Sequence, residues 1–148
     1  ENVDEARLYG FDMQFNYNPF QNIVFHGNAA LVRGEDTRNN ENLPLIPPLN
    51  GRIGVRYHWK NLGTVDLTSI LYDKQDKVAE GEEVTDGYTL FDLTLSTKEI
   101  RYSYGSLKIY GGVENILDET YRNHLSTNRG TLDLQPGRNY FIKLQLKF

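Results

Sequence analysis

His26 and His58 are residues of a type that binds metals or titrates near neutral pH. They sit in neighbouring segments of alternating polarity, both on the polar parity, where antiparallel pairing could bring them near one another. The reading adopted makes both of them plain polar wall contacts. A second group gathers between residues 116 and 137: Asp118, Glu119, Arg122, His124, Ser126 and Arg129. Asp118, His124 and Ser126 are the residue types of an acyl-transfer triad, but no nucleophile elbow surrounds Ser126 and no spacing enforces the geometry. Ligand contact by Arg122, His124 and Arg129 in a polar loop is the better-supported chemistry. A third set, His26, Arg52, Arg56, His58, Lys108 and Glu114, shares the polar parity of its segments. Mixed charge of this kind suits a wetted interior or a polar neighbour, and no two carboxylates are spaced for acid–base work. We therefore assign no catalytic, metal or cofactor site and expect no enzyme.

The segments that position these residues repeat every second residue. The sharpest is the last: Tyr140, Ile142, Leu144, Leu146 and Phe148 share one parity, and Asn139, Lys143, Gln145 and Lys147 the other. Phe141 alone breaks the pattern. Tyr9, Phe11, Met13, Phe15 and Tyr17 form a similar stripe in a first strand over about 5–17. Further strands are expected over 22–33, 51–59, 64–72, 88–97 and 106–115, giving about seven in all. Parity blurs at Ser69 and Ile70. Gly27, Gly54 and Gly111 are read as relief of crowding or points of curvature rather than a phosphate cradle. Tight turns near 20, 61 and 102 alternate with long polar loops near 42, 80 and 127. The expected fold is all-β, an antiparallel up-and-down meander.

Composition narrows the class. The chain has 148 residues, a net charge of −4 and no cysteine. Disulfides and thiolate metal sites are thereby excluded, and there is no basic patch for nucleic acid. Mean hydropathy is −0.58, and no run approaches the ~20 apolar residues of a membrane helix. A membrane barrel evades that test, because only alternate strand residues meet lipid. Tyr17, Phe20, Tyr57, Trp59, Tyr102, Tyr104 and Phe148 gather at the short-turn end, as an interfacial aromatic belt would. Short turns on one side and long loops on the other are the habit of outer-membrane barrels. An odd strand count would leave open edges in lipid, so further strands are expected from elsewhere.

The motifs sharpen this. Gly112-Val113-Glu114-Asn115-Ile116-Leu117-Asp118 with Tyr121, then His124-Leu125-Ser126 and Pro136-Gly137-Arg138-Asn139-Tyr140, resemble the closing segment of TonB-dependent outer-membrane receptors. Pro47-Pro48-Leu49 and Tyr88-Thr89-Leu90-Phe91-Asp92-Leu93 look like earlier parts of that family. The resemblance implies that residues 1–148 are the C-terminal part of a transmembrane β-barrel of about 22 strands. It also implies an N-terminal plug and a TonB-binding segment outside these residues. The implied setting is the outer membrane of a Gram-negative bacterium, in contact with its lipid. The implied activity is TonB-dependent uptake of a ferric siderophore, haem, cobalamin, another metal complex or a glycan. Tyr140, Ile142, Leu144, Leu146 and Phe148 resemble the terminal signal read by the barrel-assembly machinery. His26, Arg52, Arg56, His58, Lys108 and Glu114 would face the lumen and plug. An isolated piece of this kind is expected to self-associate. The alternatives are a smaller or multi-chain outer-membrane pore, and a soluble β-sandwich binding module.

Overall fold

The computed structural model describes residues 5–130 and 134–148. Among the described residues, nine strands and one short helix follow in order: β1 (Ala6–Phe20), β2 (Ile23–Asp36), β3 (Glu41–Asn42), β4 (Asn50–Trp59), β5 (Gly63–Tyr72), β6 (Tyr88–Thr97), β7 (Ile100–Tyr102), β8 (Gly105–Glu114), α1 (His124–Asn128) and β9 (Asn139–Lys147). All the strands belong to one antiparallel sheet. Its path is β1-β2-β4-β5-β6-β8, with β9 on the far side of β8 and β3 a short addition to β2. β7 pairs the start of β8 while β6 pairs its end, so β6 and β7 are two parts of one stave. The meander therefore has seven staves.

Two staves carry irregularities that simple alternation conceals. The chain does not turn at Asn18; β1 runs on to Phe20, and Gln21 and Asn22 make the turn. The register shifts between Tyr17 and Phe20, which is where Pro19 fits without a ladder N–H. The second break lies between Thr97 and Ile100. Before it the odd residues, such as Leu95, share a face with Gly111; after it the even ones, Ile100 and Tyr102, share that face with Leu107 and Gly105. The Thr97 hydroxyl accepts the Ile109 amide at 3.1 Å, satisfying a donor at the break.

The register gives each face one character. Tyr17, Phe25, Val55, Leu67 and Leu93 lie in one cross-strand row, and Met13, Ala29, Gly51, Leu71 and Thr89 in another. These rows form the convex face. Their large side chains are exposed: Ile142 on β9 is 82% accessible, and Phe148, just past the end of that strand, 96%. Among the described residues, Leu43 and Leu90 are the buried apolar side chains. A water-soluble sheet does not leave its apolar face open in this way. Parity through β5 is unbroken: Ser69 joins the convex face beside Ile53 and Phe91, and Ile70 the concave face beside Arg52 and Leu90. Phe141 turns to the concave side, where its ring covers the backbone of Gly112.

Candidate functional site

The concave face holds a polar trough of about 810 Å³ lined by His26, Arg52, Arg56, His58, Asp66 and Lys108, among others. Its organising group is the Asp66 carboxylate. Arg56, paired opposite it, donates from Nε to Oδ2 at 2.6 Å. Thr68 donates its hydroxyl to Oδ1 at 2.9 Å, and His26 Nε2 lies 3.2 Å from the same oxygen. His26 belongs to β2 and Asp66 to β5, so the imidazole spans the intervening strand β4. It does so over Gly54, where a Cβ would stand 2.5 Å from the imidazole Cε1.

The two histidines are not brought together. His26 pairs with Gly54, whereas His58 pairs with Thr64, whose hydroxyl is 3.3 Å from His58 Nδ1. Among the described residues no group of three His, Cys, Asp or Glu side chains is placed to hold a metal ion. Arg52 is exposed on the trough wall. Lys108 lies 4.9 Å from the Tyr110 ring centroid and Lys143 5.9 Å from it, so two cations approach one aromatic ring. Glu114 shares the parity of Lys108 but sits at the loop end of β8, where it accepts from Asn139 at 2.9 Å.

The three long loops interlock at the other end of the sheet. Gln75, fully buried, donates to the Ile46 carbonyl at 2.7 Å, and Glu82 receives the Leu45 and Ala79 amides. Asn128 receives the Glu83 amide at 2.7 Å and returns a bond to its carbonyl. α1 forms where Asn123 caps the Ser126 amide. Beneath the loops Tyr72 stacks on Tyr88 at 4.8 Å, and Tyr121 lies 4.4 Å from Tyr88.

The expectation that His124 is a surface ligand contact is corrected by its burial. It is 3% exposed, and its Nδ1 meets the Thr85 hydroxyl and the Asn128 amide, each at 3.1 Å. Burial also holds its pKa below the ordinary histidine value. Its Nε2 has no hydrogen-bond partner, and Asp118 Oδ1 receives the Arg138 amide, so no relay joins Asp118, His124 and Ser126. Arg122 and Arg129 are exposed, and Arg122 reaches Glu83 at 3.3 Å. The role of Asp66 as a hub is absent from the sequence reading, because it depends on three strands at once. The tyrosine stack was half visible, since Tyr72 and Tyr88 flank one loop at matching positions.

Comparison with known proteins accords with this geometry. The TonB-dependent receptor-like β-barrel family model matches residues 1–116. Among solved structures, the chain is similar to one described as the copper transporter OprC, at 23% identity and a TM-score of 0.82. The superposition covers 94% of this chain and 23% of that one, so the chain spans about a quarter of the other's length. No curated protein matched the sequence. A single antiparallel meander with an apolar convex face and a polar concave one, matched by that family over 116 of its 148 residues, identifies this chain as a member of the TonB-dependent receptor β-barrel family.

Proposed function

We propose that residues 1–148 are the closing staves of an outer-membrane importer driven through TonB. The observation that carries this reading is the inverted sheet: apolar side chains exposed on the convex face, charge and hydroxyl groups in the concave trough. Lipid solvates the first surface, and a wetted lumen or plug the second. A β-sandwich module would cover its apolar face with a second sheet, and the described residues supply none. Both edges of the sheet, β1 and β9, lack a partner on their outer side among the described residues. Further staves of the same barrel would satisfy them, which favours this reading over a small self-contained pore.

In this assignment the Asp66 cluster, Arg52, His58, Lys108 and Glu114 face a plug domain, and the interlocked loops face the exterior. Arg122 and Arg129, both exposed in the third long loop, are placed among the loop residues that contact a cargo. The cargo is a scarce nutrient such as a ferric siderophore, haem, cobalamin, another metal complex or a glycan. Copper, named for the structural neighbour, would find no thiolate in this chain, one thioether, Met13, on the convex face, and among the described residues no group of three His, Cys, Asp or Glu side chains placed to hold it. Tyr140, Ile142, Leu144, Leu146 and Phe148 serve as the signal for the assembly machinery. The test is to express the complete reading frame in a Gram-negative host. A product in the outer-membrane fraction whose gel mobility changes on heating, and cargo uptake lost without TonB, is the expected result. Recovery as a soluble protein would overturn the proposal.

A further inference from the structure

The second long loop, between β5 and β6, is bonded to both of the others. Within it Gln75 and Thr85 form an isolated antiparallel bridge, with amide-to-carbonyl distances of 2.9 and 3.3 Å. Each partner sends its side chain to a different neighbour. Gln75 donates from Nε2 to the Ile46 carbonyl of the first loop at 2.7 Å, and its Oε1 receives the Lys77 amide at 3.3 Å, which fixes the orientation of the group. Thr85 meets His124 Nδ1 of the third loop at 3.1 Å. One two-residue bridge therefore carries a link to the loop on either side.

The flanking contacts repeat this arrangement. Residues four apart share a helix face, so α1 presents His124 and Asn128 together. They meet Thr85 and Glu83, two apart in the second loop: Asn128 receives the Glu83 amide through Oδ1 and donates to its carbonyl through Nδ2. On the other side, the Leu45 amide of the first loop donates to Glu82 at 2.7 Å, and Asn42 donates to the Val78 carbonyl at 3.2 Å. Gln75, Thr85 and His124 are 0%, 4% and 3% exposed. Solvent does not reach such a chain to replace a lost partner. Breaking one link leaves the next polar group buried and unpaired, and that cost makes the links hold or part together.

We propose that the three long loops open and close as a single lid, with the Gln75–Thr85 bridge as its keystone. Contact with any one loop then orders the other two, and linkage makes the effect reciprocal. The coupling belongs to the loops of this chain and stands apart from the barrel reading. On that reading it means that a cargo touching one loop draws all three together.

The experiment uses the complete protein folded in detergent, with amide hydrogen exchange resolved at Leu45, Gln75 and Arg129, one reporter in each loop. Thr85→Val keeps the shape of the side chain and removes the hydroxyl that meets the third loop. It is expected to speed exchange at all three reporters by the same factor, about threefold or more, because one opening exposes them all. Gln75→Met, which cuts the link to the first loop, should likewise speed Arg129 in the third as much as Leu45. Thr85→Ser restores the hydroxyl and should exchange like the wild type, as should Glu80→Gln, an exposed change in the same loop. Heat-dependent gel mobility reports barrel formation separately, so failure of the barrel reading is distinguishable from failure of the coupling. If Thr85→Val does not fold, Asn128→Ala, which frees α1 from Glu83, carries the same expectation. Faster exchange confined to the third loop in Thr85→Val or Asn128→Ala, or to the first and second in Gln75→Met, would overturn the single lid, as would no change in any of them.

Discussion

His26 on β2 contacts Asp66 on β5 across the whole width of β4, and the residue that lets it pass is Gly54. A side chain there would meet the imidazole Cε1 at 2.5 Å and the Thr68 hydroxyl at 2.9 Å. Gly54→Ala is expected to destabilise the complete barrel by about 1–3 kcal/mol, as overpacking does. Gly111→Ala is the control, because its nearest contact would be an ordinary 3.6 Å to the Phe141 carbonyl. Urea titration of the barrel folded into lipid measures both; similar costs at the two positions would reject the crossing.

Leu144 and Lys143 are adjacent on β9 and point to opposite faces, opposite Ile109 and Tyr110 respectively. Leu144→Arg should cost about 2–4 kcal/mol if Leu144 meets lipid near mid-bilayer. Lys143→Gln should cost little beyond its share of the Tyr110 face. The same folding titration decides this, and equal penalties would mean that the faces have been assigned wrongly.

On the proposed barrel reading, the alternation of tight turns with interlocked loops predicts a direction across the membrane. Single cysteines at Glu80 and Arg129, both exposed in the loops, should react with an impermeant thiol reagent on intact cells. A cysteine at Asn61, exposed in the turn after β4, should react only after the outer membrane is breached. Labelling of the Asn61 position on intact cells would invert the topology.

His124 fastens the third long loop to the second through Thr85, and its Nδ1 also meets Asn128 of its own helix. In the neutral tautomer with its proton on Nε2, Nδ1 is the acceptor that the Asn128 amide requires; protonation places a hydrogen there and leaves that amide facing another donor. Burial lowers the pKa in the folded state, so the clasp contributes fully above the ordinary histidine value and is lost as pH falls through the lowered one. Glu82 opposes this shift by favouring the charged ring. Amide hydrogen exchange at Thr85 and Arg129, corrected for the intrinsic pH dependence, should be well protected at pH ~8 and faster at pH ~5. His124→Phe should abolish the difference; an unchanged pH dependence in that variant would assign it to another group.

The sequence alone determined the staves, their faces and the side on which the long loops lie. Period two is a local property of the chain, written in runs such as Tyr9 to Tyr17 and Tyr140 to Phe148, and a one-residue slip would move a whole stripe to the other surface. It also carried the family resemblance. Tertiary structure decided whatever depends on register between strands far apart in the chain. Lone exceptions such as Phe141 became intelligible only once Gly112 was seen beneath the ring. That His26 and His58 stand apart as wall residues is set by pairing, which puts His26 opposite Gly54, four residues from His58. Asp66 gathers partners from β2, β4 and its own strand, a convergence that no spacing within one strand encodes. His124 reads in sequence as an accessible loop residue; its burial depends on Thr85, 39 residues away, being folded against it. A strand's pattern is set by which solvent each face meets, and that can be read one residue at a time. A site is set by which strands lie side by side, and that is fixed only when the sheet has formed.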